Sequence, residues 1–223
     1  MLDTRPHVVE DAISDLAIGR TDVGGVSPFG CMAHLVVAAE FATPESAAFI
    51  VRHTSGFMRM PAAAGICRNL QLPQMVRHNE NRQNCVHSHG GRPTRVGAGI
   101  GTRDRSHTIR VLADPAASPE DLTRPGHLPP LGAQPFGRLA RRGFTEAAID
   151  LLPVAGLRPV AAMSELVEVR YPRSMPDSLE GTKFGRARRL TVVDLRDRIA
   201  FRRTVTTAPV ESPQARGRAG VAR

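Results

Sequence analysis

Tryptophan is absent from this chain, tyrosine occurs once, and Lys183 is the single lysine among 30 basic residues. The formal net charge of +9 would by itself suggest a nucleic-acid surface. Proteins that bind single strands interleave basic side chains with stacking aromatics, and this sequence has no such interleaving. A basic complement made almost wholly of arginine reads as genomic composition, so nucleic-acid binding is disfavoured as the main role. Cysteine is scarce as well. Cys31, Cys67 and Cys85 are an odd number at wide spacings, neither a disulfide framework nor a zinc pattern, and are read as structural thiols. No run of 18 or more apolar residues occurs, so no membrane span is expected. The N-terminus carries Asp3, Glu10 and Asp11 without the apolar stretch of a signal peptide, and a cytoplasmic protein is the expectation. No repeat, no GxGxxG and no Walker pattern is present.

What is present reads as helices alternating with short apolar strands. Val9, Ile13, Leu16 and Ala17 share a helix face within 8–18, and Gly19 can end that helix. Residues 20–34, with Gly24-Gly25 and Pro28, carry no periodicity and read as loop. Leu35 to Ala39 fits a buried strand. Thr43-Pro44 is an N-cap followed by proline at the first helical position, opening a helix to about Thr54. Strand then short helix is expected over 57–72, and a polar loop over 78–95. In that loop His87-x-His89 invites a metal reading but has no third ligand in register. A helix is expected over Thr102–Ala113, and Ser118-Pro119-Glu120-Asp121 is a second N-cap signature. Thr145–Ala155 reads as helix, Leu157–Met163 as a buried strand ending at Ser164-Glu165, and Thr191–Arg203 as an amphipathic helix with Val192, Leu195 and Ile199 on one side. The expected class is α/β (α+β-type): a mixed β-sheet flanked by helices in one domain, 1–203, with a disordered basic tail, 204–223.

Two stretches suggest chemistry. Pro125-Gly126 reads as a turn that sets His127 on surface backbone. Beyond it, Arg141 precedes Thr145 at the mouth of the expected helix. A guanidinium beside a hydroxyl and the N–H groups of a helix start can cradle an anion. A titratable base near a phosphate-sized site suggests an enzyme for a small phosphorylated molecule. A surface histidine and an arginine solvating a helix would give the same local pattern.

Five segments together carry a family pattern: VEDAISDLAIGR (9–20), LVVAAEFATPESAAFIVRHTSGF (35–57), GIGTRDRSHTIRVLADPAASPEDLTRPGH (99–127), RGFTEAAIDLLPVAGLRPVAAMSEL (142–166) and LTVVDL (190–195). In this order and spacing they resemble the 3,4-dihydroxy-2-butanone 4-phosphate synthase family of riboflavin biosynthesis. The resemblance implies a lyase converting D-ribulose 5-phosphate to 3,4-dihydroxy-2-butanone 4-phosphate and formate, by way of an enediolate. It implies Mg2+ (or Mn2+) as cofactor and a homodimer with sites near the subunit interface. Residue by residue, His127 matches the catalytic histidine, Glu165 the catalytic glutamate, and Arg141 and Thr145 the phosphate-binding pair. Many members are fused to a GTP cyclohydrolase domain, an activity not expected of this sequence.

The chain also departs from the family. Where an acidic loop supplies a metal-binding glutamate, Gly24–His34 contains no carboxylate. Phe144 stands where the second metal-binding histidine is expected. Neither family ligand position is retained, leaving Asp22, His34 and Glu40 as candidate replacements. Lyase chemistry is therefore expected to be impaired. The alternative is a catalytically silent homologue that binds a sugar phosphate or pairs with an active subunit.

Overall fold

The computed structural model describes residues 6–26, 33–80, 86–94, 97–134, 141, 143–167 and 178–204. Cys31, Cys85, residues 27–32 and all of the expected tail except Thr204 lie outside these.

The centre is a four-stranded mixed sheet in the order β8-β2-β1-β9. Its strands are β1 (Asp22–Val26), β2 (His34–Ala38), β8 (Ala161–Glu165) and β9 (Val192–Asp194). The β2 strand pairs antiparallel with both β1 and β8, and β1 runs parallel to β9. Helices cover both faces of β2, which is why its apolar run is continuous rather than alternating. On one face Leu35 and Val37 pack with Ile50 of α2 (Pro44–His53) and Ile109 and Leu112 of α4 (Thr102–Ala113). On the other, Val36, Ala38 and Met163 pack with Leu16 of α1 (Pro6–Ala17) and Ile149 of α5 (Phe144–Ile149). Full burial of each such side chain contributes about 1.5–3 kcal/mol.

Beside β8 runs β3 (Met60–Ala63), tied to it by antiparallel bridges Arg59↔Met163 and Ala62↔Val160. The β3 strand also belongs to a three-stranded sheet, β3-β7-β4, with β7 at Pro130–Ala133 and β4 at Val86–His87. A separate two-stranded ribbon joins β5 (Gly91–Pro93) to β6 (Leu122–Leu128). Local signals set the helix ends. Thr43 Oγ1 accepts from Ser46 N at 3.1 Å while Thr43 N donates to Ser46 Oγ at 2.9 Å, a reciprocal cap worth about 1 kcal/mol. Gly19, at φ +78°, ends α1 in the left-handed conformation that glycine adopts without steric cost.

Several expectations are corrected. The span read as loop over 20–34 contains β1, an inner strand. Pairing on both sides holds it despite Gly24-Gly25. Pro125-Gly126 is not a turn but lies inside β6, after a cis Arg124–Pro125 peptide bond. Gly126 is needed there for close approach: a Cβ would sit 2.2 Å from the carbonyl carbon and oxygen of Gly91 on β5. The helix expected over Thr145–Ala155 ends at Ile149 and continues as turns, because Pro153 has no N–H and Gly156 takes φ +77°. The polar stretch 78–95 includes β4 and β5. The helix expected from Thr191 begins with β9 and becomes α7 only at Leu195–Thr204. On α7 the fully buried side chain is Arg198, while Ile199 is only half-buried.

Candidate functional site

Glu165 ends β8 directly opposite His34, the first residue of β2. Side chains of directly opposed residues lie on the same face of a sheet. His34 Nε2 stands 3.6 Å from Glu165 Oε1. From the other flank of β8, Arg59 is anchored to Met163 by backbone hydrogen bonds in both directions, 2.8 and 2.9 Å. That register brings the Arg59 guanidinium into an ion pair with the same Oε1. Glu165 is thus approached by one cation and one imidazole, from two different neighbouring strands.

His34 is only 2% exposed, and its ring stacks on Phe144 at a centroid distance of 4.3 Å and a tilt of 39°. Burial, reinforced by the positive charge of Arg59, lowers the His34 pKa from 6.5 to about 3. The imidazole is therefore neutral at physiological pH. Behind it lies a small cavity lined by His34, Val36, Phe144, Ala147, Met163 and Arg198 among others. Arg198 Nη1 donates to Ala147 O at 2.6 Å.

The expected phosphate pair sits around α5. Arg141 Nε donates to Glu146 Oε1 at 2.8 Å, and Arg141 Nη2 lies 2.6 Å from the same oxygen. Glu146 is fully buried and also accepts from Gln134 N at 3.0 Å. Thr145, in the first turn of α5, is fully buried, and its hydroxyl has no hydrogen-bond partner among the described residues. At Gly143, the N-cap, a Cβ would come within 2.5 Å of Glu146 Oε2, so a larger residue there would have to push that carboxylate aside.

Arg141 and Thr145 thus flank one helix start. Glu165 joins this neighbourhood through His34 and Phe144. Among the described contacts, none joins His127 to that group. It is exposed on β6, in the separate ribbon, with its Nδ1 3.6 Å from where a Gly99 Cβ would stand.

Sequence reasoning missed Arg59 altogether. The available signal was a charged residue opening the otherwise apolar run Met60–Ala63. It also left His34 as one of three candidate replacement ligands, and the structure separates those three. Asp22 is buried, with its pKa raised to about 8 by burial against the lowering pull of Arg198. Glu40 is exposed and accepts from Arg158 N at 2.7 Å. Only His34 adjoins Glu165.

A hard divalent cation such as Mg2+ requires oxygen ligands. Here the carboxylate that could serve is paired with a guanidinium, its neighbour is an imidazole, and Phe144 offers no donor atom. Among the described residues no three His, Cys, Asp or Glu side chains gather closely enough to hold a metal ion. The described donor set does not fit the group. Cys67 is buried, its thiol pushed up to about 11 chiefly by that burial, which leaves it unreactive as a thiolate. Among the described residues no helix is long and apolar enough to cross a membrane.

Comparison with known proteins agrees with this architecture. The family model of 3,4-dihydroxy-2-butanone 4-phosphate synthase matches residues 32–201. The riboflavin biosynthesis protein RibBA of Salinispora arenicola (strain CNS-205) is 43% identical over 174 residues, covering 76% of this chain and 40% of that protein. RibBA of Mycobacterium avium (strain 104) is 39% identical over 209 residues, covering 90% and 48%. The chain spans less than half the length of these curated relatives. Among solved structures, a 3,4-dihydroxy-2-butanone 4-phosphate synthase in complex with two magnesium ions superimposes with a TM-score of 0.82 at 36% identity, covering 88% of this chain and 97% of that one.

Proposed function

Because the chain belongs to the 3,4-dihydroxy-2-butanone 4-phosphate synthase family, we propose that it binds D-ribulose 5-phosphate and performs the family's lyase reaction in impaired form. The products would be 3,4-dihydroxy-2-butanone 4-phosphate and formate. The observation that carries this reading is Glu165, a carboxylate at a strand end, held between Arg59 and His34 within the neighbourhood of α5. Arg141 supplies the cation for the substrate phosphate, and the Thr145 hydroxyl, buried and unpartnered, is available to the same anion once the site fills. Glu165 transfers the carbon-bound proton, and His127 acts as general acid or base. His127 lies on a different sheet from Glu165, and a homodimer with sites near the subunit interface is proposed from the family resemblance alone. A cytoplasmic location suits such a reaction.

Impairment follows from electrostatics. The Glu165 carboxylate is engaged by Arg59, which a substrate proton would have to share or displace. The donor set does not fit the Mg2+ or Mn2+ that the family implies. Each ~1.4 kcal/mol of lost transition-state stabilisation is tenfold in rate. The test is formate release from ribulose 5-phosphate by the purified chain. Formate above the level of Glu165→Gln supports the lyase.

A second reading, a silent homologue that only binds the sugar phosphate, is favoured by the same Arg59–Glu165 pair. No formate, together with saturable ribulose 5-phosphate binding that is lost in Arg141→Ala, would establish it.

A further inference from the structure

We propose that Arg59 is the resident cation of this site, so that an anionic sugar phosphate or enediolate is bound at Glu165 without a divalent metal. The inference rests on the reading of Glu165 as a substrate-facing residue and adds what supplies the positive charge there.

Arg59 is built into place. Its backbone is clipped to Met163 from both sides, its side chain is only 15% exposed, and its guanidinium lies against Glu165 Oε1. The phenyl ring of Phe57 flanks the guanidinium at 5.7 Å, a contact suited to a cation. The only other polar group facing that oxygen among the described contacts is His34 Nε2, which belongs to a buried, neutral ring. The described charges therefore balance, one guanidinium against one carboxylate. A divalent ion brought to Glu165 would displace Arg59 or face its like charge across a few ångströms, in surroundings that screen poorly. On the side where another donor could approach His34, Phe144 presents only ring carbons.

A guanidinium keeps its charge at every accessible pH and spreads it over a planar group. It can polarise an oxyanion arriving beside Glu165 while still holding the carboxylate. A divalent ion would supply more charge than this guanidinium.

The experiment uses the full chain and two independent probes. In the first, ribulose 5-phosphate is titrated calorimetrically with chelator and again with excess Mg2+. Equal affinities are expected. Arg59→Met should weaken binding by about tenfold or more, with Arg59→Lys recovering much of it. Circular dichroism would show that both variants remain folded. Binding that requires Mg2+ would overturn the proposal. In the second, Mn2+ is followed by electron paramagnetic resonance with no sugar present. The free-ion spectrum should be unchanged by the wild-type protein. Immobilised Mn2+ that is released in Glu165→Gln would overturn the proposal whether or not the sugar binds. Failure of ribulose 5-phosphate to bind under any condition would instead sink the substrate reading, and the Mn2+ arm would still judge the role of Arg59.

Discussion

Glu165 and His34 are partners in the β8–β2 ladder, and their side chains meet with Nε2 3.6 Å from Oε1. The pair fixes the protonation of the site. His34 is neutral because burial and Arg59 both oppose its charging, so it can accept or donate only as an imidazole.

This neutrality has a consequence for acid stability. The folded pKa of His34, about 3, is below its unfolded value of 6.5. Between these values the unfolded chain binds a proton that the folded chain refuses. The stabilisation from His34 is thus fully present above pH 6.5 and is lost as pH falls toward 3. Thermal melts across this range should show His34→Phe losing less stability with acid than the wild type. Parallel curves would show that His34 is already protonated in the fold.

The buried Asp22 and Arg198 behave as a unit. Both are almost completely inaccessible, and each carries the other's charge among the influences on its pKa. Asp22, held protonated near neutral pH, and Asp150 both face Arg198, so Asp22→Leu or Arg198→Met alone leaves a buried polar group without one of its partners and should cost about 1–3 kcal/mol in urea denaturation. The double variant should be more stable than either single one. Additive losses would show that the two groups do not interact.

Asp22 also adds a pH dependence of opposite sense. Its folded pKa, about 8, lies above the usual 3.8, so its contribution is full below pH 3.8 and is lost as pH rises through 8. Asp22→Asn should flatten stability between pH 3.8 and 8, as read by melting temperature against pH. An unchanged slope would mean that Asp22 is ionised throughout.

Thr145 separates folding from function. Its hydroxyl is buried without a partner among the described residues, a condition that costs about 1–3 kcal/mol. Thr145→Val should therefore leave stability equal or raise it, while weakening ribulose 5-phosphate binding. Weaker folding would reveal a hydrogen bond to the hydroxyl in the free protein.

Glu146 holds Arg141 in place. Glu146→Gln keeps the shape but removes the charge that accepts from Arg141 and from Gln134 N. The expected result is a stability loss of about 2–4 kcal/mol with a less ordered Arg141 and a higher Kd for inorganic phosphate. Unchanged phosphate affinity would show that Arg141 needs no such support.

Much of the scaffold was legible along the chain. The Thr43-Pro44 cap, the Gly19 stop, the LVVA strand and the helix Thr102–Ala113 rest on local backbone preference and side-chain spacing, which a linear reading captures. The family was legible for the same reason, since motifs such as DLTRPGH and TEAAIDL keep their order and spacing. What failed were elements decided by neighbours. Gly24-Gly25 suggests a loop until two strands pair around it, and Pro125-Gly126 suggests a turn until Gly91 packs against it.

The sequence by itself determined the class of fold and the family, and it shows that Gly24–His34 carries no carboxylate. Only the tertiary structure decided that Arg59 and His34 converge on Glu165, that Arg141 answers to Glu146, and that α7 turns Arg198 inward toward the charge of Asp22. Those pairings join residues far apart along the chain. Their physical origin is strand register and shared burial, quantities that exist only once the sheet has formed.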